Sequence, residues 1–297
     1  PVGQHTNNIK GDGIVIGIVD TGIWPENPSF ADDGTYTIPA NWKGTCVGGE
    51  ESPQVTCNNK LIGARYFKSA FESVYQIQPG EFLSPRDAES HGSHVASTAA
   101  GNAGVSAVIN DEIHGTVMGV APRAQIAAYK VCWNSDYVSP EGKKESGCFY
   151  GDSMAAIDAA VADGVDVINY SIGGSLTDLT TIAAAAKLRA TQAGVVMAVA
   201  AGNEGRNEAI EAVSTPAPWV ISVAASGYSV NQIDVASESV NGRVTAVEGT
   251  AGRLLNLTGV ITGDIAVAEP LKGCTPLTNA EAVQGKVVLL SRGDCDF

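Results

Sequence analysis

The chain has 297 residues, 44% hydrophobic and 17% charged, which suits one large globular domain or one domain with part of another. The formal net charge of −14 repels phosphate backbones, so no nucleic-acid partner is expected. No apolar run has the length of a bilayer-spanning helix, so no membrane partner is expected, and the opening Pro1-Val2-Gly3-Gln4 is not a signal peptide.

Ile14 to Val19 is a continuous, largely β-branched run, the pattern of a strand buried on both faces. His94 to Ala100 reads as an Ala-rich helix, and Ile126 to Val131 as a second strand. Ser153 to Ala162 reads as a second helix, with Met154, Ile157 and Val161 at i, i+3 and i+7. Val165 to Ile168 is the next strand, Ile182 to Ala193 the next helix, and Val195 to Val199 and Val220 to Val223 are further strands. Strand-helix-strand alternation implies parallel pairing and an α/β layered fold. Near Gly242 the composition shifts to short strand-like runs (Arg243 to Val247, Gly259 to Ala266, Val287 to Leu290) without long helices. Residues 1–241 are therefore read as one domain and 242–297 as the start of a β-rich second module. A module ending at Phe297 would leave an open sheet edge, so the sequence is expected to be the N-terminal portion of a longer protein.

Six cysteines allow fifteen pairings, and the sequence alone does not choose among them. Loop closure favours near neighbours, which gives Cys46-Cys57, Cys132-Cys148 and Cys274-Cys295. The C-x-x-C spacing of a zinc site is absent. Disulfides imply an oxidising compartment, hence a secreted protein.

Three stretches carry chemistry. Asp20-Thr21-Gly22 directly follows the first buried strand. His91-Gly92-Ser93-His94-Val95-Ala96-Ser97 opens an Ala-rich helix. Ala200-Ala201-Gly202-Asn203 directly follows another buried strand. In open α/β sheets, active residues collect where strands end and helices begin. An acid, an imidazole and an amide at such ends suit nucleophilic acyl transfer: the acid orients the imidazole, the imidazole takes a proton, and the amide donates to the developing oxyanion.

In these residues the chain resembles the subtilases, the subtilisin-like serine endopeptidases of peptidase family S8. The resemblance implies a three-layer subtilisin-like α/β fold, here incomplete, with a mostly parallel sheet. It implies Asp20 as the triad acid, His91 rather than His94 as the base, and Asn203 as the side-chain oxyanion donor. Ser171-Ile172-Gly173-Gly174 resembles the strand to which substrate backbone adds antiparallel. Ala200-Ala201-Gly202 resembles the facing wall of the pocket for the residue before the scissile bond, where small residues leave room for a sizeable side chain. Asp20 to Phe30, Trp42-Lys43-Gly44 with Cys46, Cys57 to Arg65, and Ser84-Pro85-Arg86-Asp87 resemble the cucumisin-like branch. That branch carries a protease-associated (PA) domain between the oxyanion asparagine and the catalytic serine, and Val287 to Gly293 with Cys295 looks like its first part. Ser93 stands where the family usually has threonine, and keeps the hydroxyl.

Gly151-Asp152-Ser153-Met154-Ala155 imitates the family's nucleophile string, yet it precedes Asn203, has Asp152 in place of threonine and lacks the following proline. Ser153 is read as a helix N-terminal residue, with Asp152 or Ser153 capping. By the family's order the nucleophilic serine lies outside this chain, and the C-terminal remainder is expected as a second chain or a continuation. The implied partners are peptide or protein substrates. The chemistry needs no cofactor; structural calcium is common in the family, but its ligands cannot be placed, and no metal residues are assigned.

An inactive subtilase-like groove would bind peptides without cutting them, but acid, base and oxyanion donor are all present. Asp-Thr-Gly is also an aspartic-protease motif, which needs two such aspartates, and only Asp20 has the motif. His91 and His94 lack a third metal ligand at useful spacing, and His94 is expected to pack or bond near the core. Asp87 is read as a groove-bordering or solvated loop acid. Asn256 and Asn169 head glycosylation sequons, the second in a strand expected to be buried. Arg292-Gly293-Asp294 is read as a chance match to an adhesion tripeptide.

Overall fold

The computed structural model describes residues 9–50, 53–109, 112–138, 144–174, 180–203, 213–224, 232–237, 240–247, 264–271 and 276–289. The chain runs β1 (Val15–Asp20), β2 (Leu61–Tyr66), α1 (Ser69–Glu72), α2 (His91–Ala100), β3 (Val105–Ile109), β4 (Glu112–Val117), β5 (Gln125–Lys130), β6 (Cys132–Val138), β7 (Lys144–Cys148), α3 (Tyr150–Asp163), β8 (Val167–Tyr170), α4 (Ile182–Gln192), β9 (Val196–Ala200) and β10 (Ile221–Val223).

β1 is buried along its whole length, as its unbroken apolar run requires. It lies inside a six-stranded sheet of order β10-β9-β8-β1-β5-β2, in which every pairing is parallel. Strand side chains alternate between faces. Val15, Val19, Ala127 and Tyr129 point to one face, where they meet Ala156, Ile157 and Ala160 of α3 and Ala190 of α4. Ile16, Ile18, Ile126 and Ala128 point to the other, against Ala96 and Ala100 of α2. The result is the expected three-layer α/β sandwich. Each fully buried Val or Ile in it contributes about 1.5–3 kcal/mol, and the alanines let the helices lie close to the sheet.

The expected strands and helices are present, with shifted ends. β8 starts at Val167 rather than Val165, because Asp166 meets β1 partly through its side chain: Val15 N–H donates to Asp166 Oδ2 at 2.8 Å. α2 and α3 begin at His91 and Tyr150, ahead of the apolar periodicity, since their first turns are polar or glycine-containing. β2 was not foreseen, because its outward Arg65 interrupts the pattern to pair with Asp163 at 2.7 Å. Nor were the antiparallel pairs β3–β4 and β6–β7.

The capping expectation is corrected. Phe149 is the N-cap of α3 and provides no side-chain cap. Asp152 instead turns its carboxylate to α1, accepting from the Ala70 and Phe71 amides at 2.9 Å each. Ser153 is 1% exposed, inside the packed helix face.

Two of the three expected disulfides form: Cys46–Cys57, and Cys132–Cys148 across the β6–β7 pair. Cys274 and Cys295 lie outside the described residues, as do His5, Asn256 and Arg292-Gly293-Asp294.

The chain divides into two compact units, residues 1–225 and 226–297. In the second, β11 (Gln232–Ser237) pairs antiparallel with β12 (Val240–Val247), within which position 242 falls. β13 (Ile265–Val267) pairs in parallel with β14 (Val287–Leu289), and α5 (Ala280–Val283) is a single turn.

Candidate active site

Because β1, β8 and β9 are parallel neighbours, their carboxyl ends lie at one edge of the sheet. That places Asp20, the last residue of β1, on the same edge as Ser171–Gly174, which continues from β8, and Ala200–Asn203, which ends and continues β9. The strand order departs in both directions from β1, the kind of position where open α/β sheets bind ligands.

Asp20 is 1% exposed. Its Oδ1 accepts from the Thr21 amide at 2.7 Å and lies 2.7 Å from His91 Nδ1. Its Oδ2 is buried without a partner among the described residues, so the His91 ring and the Thr21 amide carry the compensation for a buried charge. The His91 side chain is 51% exposed. A carboxylate on Nδ1 fixes the tautomer and leaves Nε2 as the proton acceptor. The hydrogen bond to Asp20 outweighs desolvation and raises the His91 pKa above its ordinary value.

The start of α2 is held by two side chains from outside it. Ser90, the N-cap, has a left-handed φ of 80° and makes no side-chain cap. Thr21 Oγ1 accepts from the Gly92 amide at 2.7 Å, and Asp87 Oδ2 accepts from the Ser93 amide at 2.9 Å and the Ser93 hydroxyl at 2.6 Å. Asp87 Oδ1 accepts from Thr21 Oγ1 at 2.9 Å and from the Glu89 and Ser90 amides at 3.0 and 2.8 Å. Asp87 thus fastens the strand that carries the acid to the helix that carries the imidazole. It is 2% exposed, which corrects its reading as a groove-bordering or solvated loop acid. Burial works against its charge, but the hydrogen bonds from Ser93, Glu89 and Ser90 outweigh that cost and keep its pKa below the ordinary carboxylate value. The Ser93 hydroxyl also accepts from the Trp24 amide at 2.9 Å.

Glycines permit the approach. A Cβ on Gly92 would sit 2.3 Å from the Gly22 carbonyl oxygen, and one on Gly22, whose φ is 121°, would sit 2.5 Å from the Pro85 carbonyl oxygen. The Ser84-Pro85-Arg86-Asp87 stretch is itself anchored. Buried Arg86 makes a two-pronged bond to Glu26 at 2.7 Å per contact and stacks 4.8 Å from the Trp24 ring. Lys130, at the end of β5, donates to the Arg86 carbonyl at 2.8 Å and to Glu81 at 2.7 Å.

The structure brings Asp20 and His91 together and leaves Asn203 exposed beyond β9. Ala201 is tied to β10 by its amide and to Ser214 through its carbonyl, at 2.9 and 2.8 Å. Ser171 and Ile172 are half-buried, and Asn169, also half-buried, donates to Ser171 Oγ at 2.9 Å. His94 is exposed, which corrects its placement near the core; its backbone amide donates to the Ser90 carbonyl and its carbonyl accepts from the Ser97 and Thr98 hydroxyls. The hub role of Asp87 and the contribution of Thr21 carry no motif of their own in the sequence. An acid four residues before the histidine and a hydroxyl beside the aspartate were the available signals.

Replacing Asp87 by alanine is expected to remove about 2–4 kcal/mol of stability. It is also expected to lower kcat of the complete protein about 100-fold by misplacing His91, with KM little changed. Thermal melts and steady-state kinetics on a short peptide check both.

The description "Subtilase family" (Peptidase_S8) matches residues 11–251. The subtilisin-like protease SBT1.4 of Arabidopsis thaliana is 39% identical over 308 residues, covering 98% of this chain and 37% of that protein. The subtilisin-like protease SBT1.5 of the same plant is 42% identical over 219 residues, covering 72% of this chain and 26% of its own length. The chain thus spans little more than a third of the first of these relatives. A solved structure of fervidolysin from Fervidobacterium pennivorans, described as a keratinolytic enzyme related to subtilisin, is 24% identical over 67% of this chain and 23% of its own, with a TM-score of 0.39. The aspartic-protease reading of Asp20 is overturned, since its partner is an imidazole and its sheet is parallel. By the match over residues 11–251 and the identity to SBT1.4 across nearly all its length, the chain belongs to the subtilase family.

Proposed function

We propose that this chain supplies the acid, the base and the oxyanion donor of a secreted serine endopeptidase. The observation that carries the reading is the 2.7 Å bond between buried Asp20 and half-exposed His91 at the carboxyl edge of a parallel sheet. A serine outside residues 1–297 attacks the scissile carbonyl carbon. His91 Nε2 takes the hydroxyl proton as the serine–carbon bond forms, and then delivers it to the leaving amine as the carbon–nitrogen bond breaks. Water repeats the sequence on the acyl-enzyme. The Asn203 amide donates to the oxyanion in each tetrahedral intermediate. Ser171–Gly174 pairs with the substrate backbone, and Ala200–Gly202 faces it. No cofactor enters these steps. The two disulfides support an oxidising, extracellular setting. Residues 242–297 are read as the start of the inserted PA domain, in keeping with the short strands there.

The pH profile tests the reading. The base must be neutral, so kcat/KM should rise with pH through an inflection above about 6.5, the ordinary histidine value, because Asp20 raises the His91 pKa. The ion pair's contribution to stability runs the opposite way: full below the unfolded pKa, and lost as pH rises through the folded one. A fluorophosphonate should abolish hydrolysis and pepstatin should not. An activity insensitive to fluorophosphonate, or falling as pH rises from 6 to 8, contradicts the proposal.

A further inference from the structure

The amino edge of the sheet carries a cavity of about 510 Å³, inside the roughly 300–1,000 Å³ range of small-molecule sites. Lys10, Pro122 and Arg123 reach it from the segments that lead into β1 and β5, and Asn102 and Val105 from the end of α2 onward. Asp20 is at the other end of β1, so the cavity lies about 17–20 Å, one strand length, from the Asp20–His91 pair. One wall is apolar, built from Pro28, Val105, Met118 and Pro122. Met118 is 52% exposed there, and an unbranched thioether adapts to the shape of what it covers.

The charged lining is two cations, Lys10 and Arg123, and one carboxylate, Asp33. Arg123 is fully engaged: its guanidinium stacks 4.0 Å from the Tyr36 ring centroid, donates to Asp12 and Asp33 at 3.2 Å each, and to Thr35 Oγ1 at 2.7 Å. Asp33 is engaged as well. It accepts from Arg123 and from the Thr35 hydroxyl and amide, and the Thr35 bonds hold its pKa below the ordinary carboxylate value. Asn102 donates to the Pro28 and Ala31 carbonyls at 3.1 and 2.8 Å and accepts from the Tyr36 hydroxyl at 2.7 Å. Lys10 is different. Its backbone carbonyl accepts from the Arg123 amide at 2.9 Å, which fixes its place at the rim, while its ammonium has no partner among the described residues. In a chain of net charge −14, this lining keeps a surplus positive charge beside an apolar wall.

The two features together select a ligand. An inorganic anion would gain nothing from the apolar wall, and a neutral hydrocarbon nothing from Lys10. A carboxylate on an apolar body gains from both, through burial of its body and a charge-assisted hydrogen bond from the ammonium. We infer that the cavity is a binding site, separate from the catalytic groove, for an organic carboxylate with an apolar body, in which Lys10 pairs with the carboxylate and Met118 covers the body. That chemistry is shared by a free aryl- or alkyl-carboxylic acid and by the C-terminal residue of a peptide. The site uses neither Asp20 nor His91 and does not depend on the peptidase reading.

The test is calorimetric titration of the complete protein with 4-phenylbutyrate and its primary amide, and with N-acetyl-glycyl-leucine as free acid and as amide. Saturable one-to-one binding of a carboxylate probe is expected, about 10-fold tighter than its amide, the worth of a hydrogen bond to a charged group. Preference for phenylbutyrate assigns the site to free organic acids, and preference for acetyl-glycyl-leucine to peptide ends. Lys10→Met should weaken the favoured acid about 10-fold and leave its amide unchanged, whereas Met118→Asp should weaken both. Met118 is exposed and Lys10 lies at the rim, so both variants should melt like the parent and hydrolyse a short peptide at its rate. No saturable binding of either acid, equal binding of acid and amide, or a preference for the acid that survives Lys10→Met overturns the inference.

Discussion

Replacing His91 by alanine in the complete protein is expected to lower kcat for peptide hydrolysis on the order of 10⁶-fold. That magnitude follows from the role of the ring. Without it the serine hydroxyl has no proton acceptor in place, and only binding and the oxyanion donor remain to accelerate the reaction. The ring is half exposed and packs little, so thermal stability should change far less than activity. What stability does change has a defined source. Asp20 is buried and loses the imidazole that neighbours its Oδ1. A variant that melts normally and binds peptide but fails to turn it over is the expected outcome. Undiminished turnover would remove His91 from the mechanism.

Asp20→Asn should cost about 10⁴-fold in kcat with the backbone unmoved. An amide can occupy the same space and still accept from the Thr21 amide. It cannot hold His91 in the tautomer that leaves Nε2 as an acceptor, nor stabilise the imidazolium once the proton has moved. The same change weakens the main cause of the raised His91 pKa, the hydrogen bond to the Asp20 carboxylate. The acid limb of the residual pH profile should therefore move to lower pH, a shift that a merely structural role would not produce. The measurement is kcat/KM against pH for both proteins, with melting temperatures alongside.

The sheet was legible from the sequence where burial is two-sided. The short, largely apolar runs at Ile14–Val19, Ile126–Val131 and Val195–Val199, set between helical stretches, became β1, β5 and β9. β2 was hidden because Arg65 leaves the apolar pattern to reach an aspartate distant in sequence. Helix starts were displaced for a related reason. The first turns of α2 and α3 are governed by contacts from elsewhere in the chain, Thr21 and Asp87 for one, and by an Asp152 that serves α1 for the other. Periodicity reports the face a helix buries and carries no information about which distant side chain caps it.

The site was legible in its residue types and order, through motifs at strand ends. The supporting residues were harder to see. Asp87 looked like a loop acid because sequence gives no sign that Ser90 adopts a left-handed conformation or that its hydroxyl leaves the helix start uncapped. The burial of Lys187 leaves no local signal either, since the stretch around it shows only an alanine-rich helix. Ser153 misleads in the opposite direction: its flanking string suggests a nucleophile, whereas the fold buries it in a helix face.

The most direct measurement is to label the complete, active protein with a fluorophosphonate and locate the modified residue by peptide mapping. A single modified serine outside residues 1–297 is expected, with labelling lost in His91→Ala. Modification of Ser153, or hydrolysis that persists with no serine labelled, would contradict it.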